Sequence, residues 1–201
     1  MASAGASSNP TWGTSCPGLE CSLGVLMDKD LRNRFIEQAR AVRQTFGDGE
    51  DLHADQAGLS PSVRQMLRES MERHEALTAL YNELDRVGVG LILKHWSGNQ
   101  WALVLPDASE PGKFRYQAFG LHGWITHHTC TTLDEVVSDA FCAGFRMVAS
   151  PDTLDRVAST VEWKKGCERL EFITRHNCGE ISYREMLDQF QNIDAKYASA
   201  A

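Results

Sequence analysis

The chain has 201 residues, 42% hydrophobic and 23% charged, with a formal net charge of −7. That length supports one sizeable core, or a smaller core with a helical appendage, and the composition excludes a wholly disordered chain. The acidity is spread evenly, with 13 acids against 9 bases in residues 1–88 and 14 against 11 in residues 89–201; the sequence shows no basic patch large enough to neutralise a phosphate backbone, and no direct nucleic-acid binding is expected.

No apolar run approaches the ~20 residues of a membrane span. The first 25 residues lack the basic and apolar regions of a secretory signal. The cysteines at 16, 21, 130, 142, 167 and 178 lack the density of a disulfide scaffold. A cytoplasmic protein with free thiols and no membrane partner is expected.

Residues 1–24 are dominated by Ala, Ser, Gly, Thr and Pro and read as a flexible tail. Trp12 is the exception, either docking the tail or without consequence. Phe35, Ala39, Val42 and Phe46 repeat at helical spacing, predicting a helix from Asp28 or Asp30 to about Phe46. The stretch 47–58 breaks it. Its acids Asp48, Glu50, Asp51 and Asp55 lack the central Gly and terminal Glu of a calcium loop, so a solvated loop is the better reading. Ser60 as N-cap, Pro61 at the first helical position and Gly88 past the end then punctuate a second helix, with Val63, Leu67, Met71, His74, Leu77, Tyr81 and Leu84 along one stripe. At 1.5 Å per residue it would be about 40 Å long, more than a small domain usually covers. Part of it projects, or it packs against a second copy as a homodimer through helix 60–87, or against the first helix as an antiparallel hairpin, intramolecular packing being the preferred reading.

From Val89 the period becomes that of strands. Residues 90–96 and 100–105 flank a Ser97-Gly98-Asn99 turn, residues 113–119 alternate Phe114, Tyr116 and Ala118 with polar side chains, and 124–129 adds another segment. Thr132 and Glu135 form a capping box for a helix with Val136, Val137, Ala140, Phe141 and Phe145 behind it, ending near Cys142 or Gly144. A short helix begins after Ser150-Pro151-Asp152, a longer one runs from Val161 to about His176, and Ser182 with Glu185 caps a last helix to about Tyr197. The predicted fold class is α+β: a small antiparallel sheet of three or four strands packed on helices. The tail 1–24 is followed by an N-terminal helical pair in 25–88, the sheet and its helix in 89–149, and a C-terminal helical bundle in 150–201.

Imidazole and thiol groups crowd at His122, His127, His128 and Cys130, with Asp134 and Glu135 just downstream. Two imidazoles and a thiolate can hold zinc and leave a fourth position to water. On a strand, however, His127 and His128 point to opposite faces, only His128 and Cys130 share one, and the usual zinc spacing pairs are missing. Nucleophilic catalysis by Cys130 is the other chemistry, with His122 or His128 as base and Asp134 orienting it, since the following helix dipole would lower the thiol pKa. A buried free cysteine finishing a strand is the simpler account. Residues 174–185 share the outline of an EF-hand, but Thr174, His176 and Cys178 are poor ligands for a hard cation, and a helix-turn-helix corner is expected instead. No phosphate loop, nucleophile elbow or nucleotide fingerprint is present, and neither cofactor nor metal is expected. Trp96, Trp101, Phe114, Tyr116 and Trp124 suit a packed sheet better than base stacking, for only Lys94, Lys113 and Arg115 would support them.

The run Trp101-Ala-Leu-Val-Leu-Pro-Asp, then Pro-Gly-Lys-Phe-Arg-Tyr-Gln-Ala-Phe119, Thr-Leu-Asp-Glu and Ala143-Gly-Phe-Arg146 resembles, over residues 91–146, a sheet-plus-helix module of accessory proteins from bacterial plasmids and integrative conjugative elements. The resemblance rests on structural residues and transfers no catalytic ones. It implies a bacterial protein of mobile DNA, a class that includes anti-CRISPR and anti-restriction inhibitors. The expected function is therefore non-catalytic binding to protein subunits of a host defence nucleoprotein complex, with Trp96, Arg115, Trp124 and Tyr81 as partner-binding residues, because Trp, Tyr and Arg carry much of the energy of interfaces. The alternative is a small thiol- or metal-dependent hydrolase or modifying enzyme centred on His122, His128 and Cys130. A DNA-binding regulatory factor is a weaker third reading, distinguished by steep salt dependence.

Overall fold

The computed structural model describes residues 29–46 and 60–199. The tail with Trp12 and the acidic loop 47–58 lie outside the described residues. Helices α1 (Lys29–Phe46) and α2 (Pro61–Val87) form where the apolar spacing places them. The Ser60 hydroxyl accepts the N–H of Val63, and Gly88, at φ 70°, donates its N–H to the Leu84 carbonyl. That conformation favours glycine, so the helix stops there.

Strands β1 (Ile92–His95), β2 (Gln100–Pro106), β3 (Phe114–Gly120) and β4 (Gly123–Cys130) follow as an antiparallel meander. Helix α3 (Leu133–Cys142) carries the capping box: Glu135 N–H donates to Thr132 Oγ1, and the Glu135 carboxylate accepts from the Thr132 N–H. A fifth strand, β5 (Phe145–Val148), then returns antiparallel to β1, giving the order β4-β3-β2-β1-β5. It exceeds the three or four strands expected because only Phe145 of its four residues is buried, leaving no alternation to read. Helices α4 (Thr153–Ala158), α5 (Val161–Asn177) and α6 (Tyr183–Ala198) complete the chain.

The sheet is covered on both faces. On one face Leu93, Ala102, Val104, Phe114, Tyr116 and Cys130 meet Leu80 and Leu84 of α2 and Val136, Val137 and Phe141 of α3. On the other, Ile92, Trp101, Leu103 and Phe119 meet Val157 of α4 and Trp163 of α5. Trp101 through Val104 are all buried because alternate residues feed opposite cores. Each fully enclosed aliphatic side chain among them contributes roughly 1.5–3 kcal/mol. The N-terminal helices are thus part of a layer rather than a separate body: α2 lies on α3 and β5, and Arg32 of α1 reaches Asp134 of α3. α6 docks chiefly on α5, through Arg169–Asp194 and Lys196–Glu168 ion pairs around Met186 and Ile193. The α5–α6 corner at Cys178 and Gly179 (φ 75°) closes on the last carbonyls of α5, as an ordinary helix-turn-helix corner. Among the described residues no helix is long and apolar enough to cross a membrane.

Candidate functional site

The register of β4 decides which groups of the His-rich stretch can meet. His128 pairs with Tyr116 and Cys130 with Phe114, on the face that carries α3, whereas His127 pairs with Gln117 on the opposite face. Asp139, on α3, lies over the same edge. His128 Nε2 is 3.0 Å from Asp139 Oδ2, and the Cys130 thiol donates to that same oxygen at 3.5 Å. The Tyr116 ring sits 6.0 Å from the His128 ring.

His122 and Asp134 are elsewhere. His122 stands in the β3–β4 turn, eight residues along the strand from Cys130 and so about 25 Å away, with its backbone against Gly166 of α5. Asp134 is fully buried on another side of α3, where its Oδ1 accepts Arg32 Nε at 2.8 Å and Nη2 at 2.5 Å. The carboxylate beside Cys130 is therefore Asp139, which a reading of near-sequence neighbours missed. Burial pushes the Cys130 thiol up to about 12, helped by the Asp139 and Glu135 carboxylates. This reverses the lowering expected from the α3 dipole: desolvation and two acids outweigh the partial charge of a helix end. In this arrangement the thiol keeps its proton and is a poor nucleophile.

The residues expected to bind a partner are also divided. Tyr81 is buried, with the Arg32 guanidinium 4.7 Å above its ring. Burial and then Asp134 push its phenol up to about 12. Trp96 is 67% exposed, in the β1–β2 turn beside His95. Arg115 and Trp124 come together on the second face of the sheet. There, beyond the cover of α4 and α5, Leu103, Leu105, Arg115, Gln117, Trp124, Leu154 and Asp155 line a groove of about 680 Å³. Leu103 lies opposite Gln117 and Leu105 opposite Arg115 across β2 and β3, so two leucines and one cation form the floor. Arg115 Nε is enclosed and has no hydrogen-bond partner. Gln117 donates to the Thr126 carbonyl and keeps its own amide oxygen for other use. Trp124 is held edge-on by Phe119 and Trp163, with ring centres 5.7 and 5.2 Å away.

Comparison with protein-family models, with curated proteins and with solved structures finds no match for this chain.

Proposed function

We propose that the protein acts by binding a protein partner rather than by catalysis, and that the groove over β2–β4 is where it does so. The observation that carries this reading is the Arg115 guanidinium, whose enclosed Nε has no partner on the floor of an apolar groove. Burying a donor without a hydrogen bond costs about 1–3 kcal/mol, which a partner's carboxylate or carbonyl would recover once the half-buried Arg115 side chain turns toward it. Leucines at 105 and 154 and the edge of Trp124 offer the apolar area that an aliphatic or aromatic side chain would cover. The occupant that fits is a short segment with an apolar side chain next to an acid. The resemblance to accessory proteins of mobile elements supplies the setting: the partner is a protein subunit of a host defence complex, and binding antagonises that complex in the manner of an anti-CRISPR inhibitor.

A tagged pull-down from a bacterial host expressing such complexes tests it, scored by stoichiometric recovery of a subunit. Recovery with the wild type and with a Cys130→Ser/His128→Ala double variant, but loss with Arg115→Glu, is the expected pattern. Undiminished recovery with Arg115→Glu and with Trp124→Ala would place the interface elsewhere. Recovery of no subunit would overturn the reading.

A further inference from the structure

His128, Cys130 and Asp139 are brought together by β4 and α3, on the face of the sheet opposite the groove. The strand period puts His128 and Cys130 on one face of β4, two residues apart, and α3 crosses that face so that Asp139 caps both. The three donor atoms, Nε2, Sγ and Oδ2, lie within 4.8 Å of one another. Ligand atoms around a tetrahedral zinc, with bonds of 2.0–2.3 Å, stand roughly 3.3–3.7 Å apart. The two separations from Asp139, 3.0 and 3.5 Å, are close to these values, and His128 Nε2 and Cys130 Sγ, within 4.8 Å of each other, would draw together around an ion.

The chemistry also matches. One thiolate, one carboxylate and one neutral imidazole carry the charge that balances a divalent ion, and Glu135 adds a further negative charge close to Cys130. Thiolate and imidazole together select borderline transition metals over calcium or magnesium. β4 is an edge strand, and both His128 and Asp139 are exposed, so an ion has a path in and a fourth position stays open to water. We propose that His128 Nε2, Cys130 Sγ and Asp139 Oδ2 form a three-ligand Zn²⁺ site that ties the edge strand to α3. On binding, the Cys130 S–H proton is released to solvent, the Zn–S, Zn–N and Zn–O bonds form, and the thiol-to-Asp139 hydrogen bond is lost. The site stands apart from the partner-binding groove, on the opposite face of the sheet.

The test uses the purified full chain, stripped with a chelator and titrated with Zn²⁺ and, as a spectroscopic probe, Co²⁺. One equivalent of metal, with a thiolate-to-cobalt charge-transfer band that Zn²⁺ abolishes, is expected. Cys130→Ser should remove the band. His128→Gln and Asp139→Asn should each weaken binding by roughly tenfold or more while leaving the circular dichroism spectrum unchanged. His128 is exposed, so its variant keeps the measurement decisive even where Asp139→Asn or Cys130→Ser fails to fold. The proposal is overturned if no thiolate band forms at one equivalent of Co²⁺. It is equally overturned if the band persists in His128→Gln and Asp139→Asn alike, which would assign the metal to other cysteines such as the exposed Cys142 and Cys178.

Discussion

Arg32 carries more of the structure than its place on an outer helix suggests. It donates through Nη1 to Asp85 of α2 and through Nε and Nη2 to Asp134 of α3, joining three helices, and it covers the Tyr81 ring. Burial alone would lower its pKa, and the two carboxylates outweigh that and raise it. Taking the cation from a buried carboxylate costs about 3–5 kcal/mol because the remaining charge is stranded. Arg32→Ala should accordingly lower the unfolding free energy by about 3 kcal/mol in urea titration, and adding Asp134→Asn should restore part of the loss. Equal stability of Arg32→Ala and wild type would show the pair to be incidental. Asp107 gives the matching statement about pH. The Thr129 hydroxyl and the Ser109 and Glu110 N–H groups hold its carboxyl down to about 2, against an ordinary 3.8. A depressed carboxylate contributes stability that is complete above the unfolded value and is lost as pH falls through the folded one, here between about pH 4 and pH 2. The Asp107 carboxyl carbon should titrate by NMR near 2, and in Thr129→Val it should move up toward 3.8.

Glycines and caps set how the elements meet. Gly166 sits inside α5, where alanine would gain about 1 kcal/mol of helix propensity. At this position, though, a Cβ would run into the backbone carbonyl of His122, so α5 rests on the β3–β4 turn through that missing side chain. Overpacking against backbone costs about 1–3 kcal/mol or more, so Gly166→Ala should destabilise in chemical denaturation, and a stabilised variant would refute the close approach. Thr132→Ala, which removes the cap of a helix at the centre of the core, should cost about 1 kcal/mol. The helices were legible in the sequence because such signals are local: Ser60, Thr132 and Ser182 each act within three residues of a helix start. The meander was legible because Phe114, Tyr116 and Ala118 alternate with polar residues, so an α+β fold followed from the chain alone. What escaped was non-local. β5 gains its place only by pairing with β1 some fifty residues earlier, and Arg32 meets Asp134 across 102 positions. The site suffered in the same way. Asp134 and Asp139 are five residues apart on α3, about 140° around the helix. The choice between them as the partner of Cys130 depends on how α3 lies on the sheet, which no spacing records.

At the scale of the whole molecule, the sheet couples two cores that neither layer could sustain alone. In β2, Ala102 and Val104 enter the core under α2 and α3, while Trp101 and Leu103 enter the one under α4 and α5. Stripping helices from one face leaves the same strand exposed to water on that side and loosens the other, so both cores should unfold together. α6 stands outside this arrangement. It docks chiefly on α5, and its ion pairs with Arg169 and Lys165 through Asp194 are partly exposed, where such pairs are worth less than about 1 kcal/mol each. Only Met186 and Ile193 of its apolar residues are buried. Native-state hydrogen exchange should therefore find the amides of β2 and β3 opening only at the global unfolding free energy, with those of α6 opening several kcal/mol below it. Protection of α6 equal to that of β2 would make the helix part of the global unit. If the expected order holds, α6 can open while Trp163 and α4 stay on the sheet, and the Arg115 groove, built from β2, β3, β4 and α4, stays formed. The proposed partner binding should then survive truncation after Ile181, whereas a change that lifts α4 from the sheet removes one wall of the groove and should abolish it.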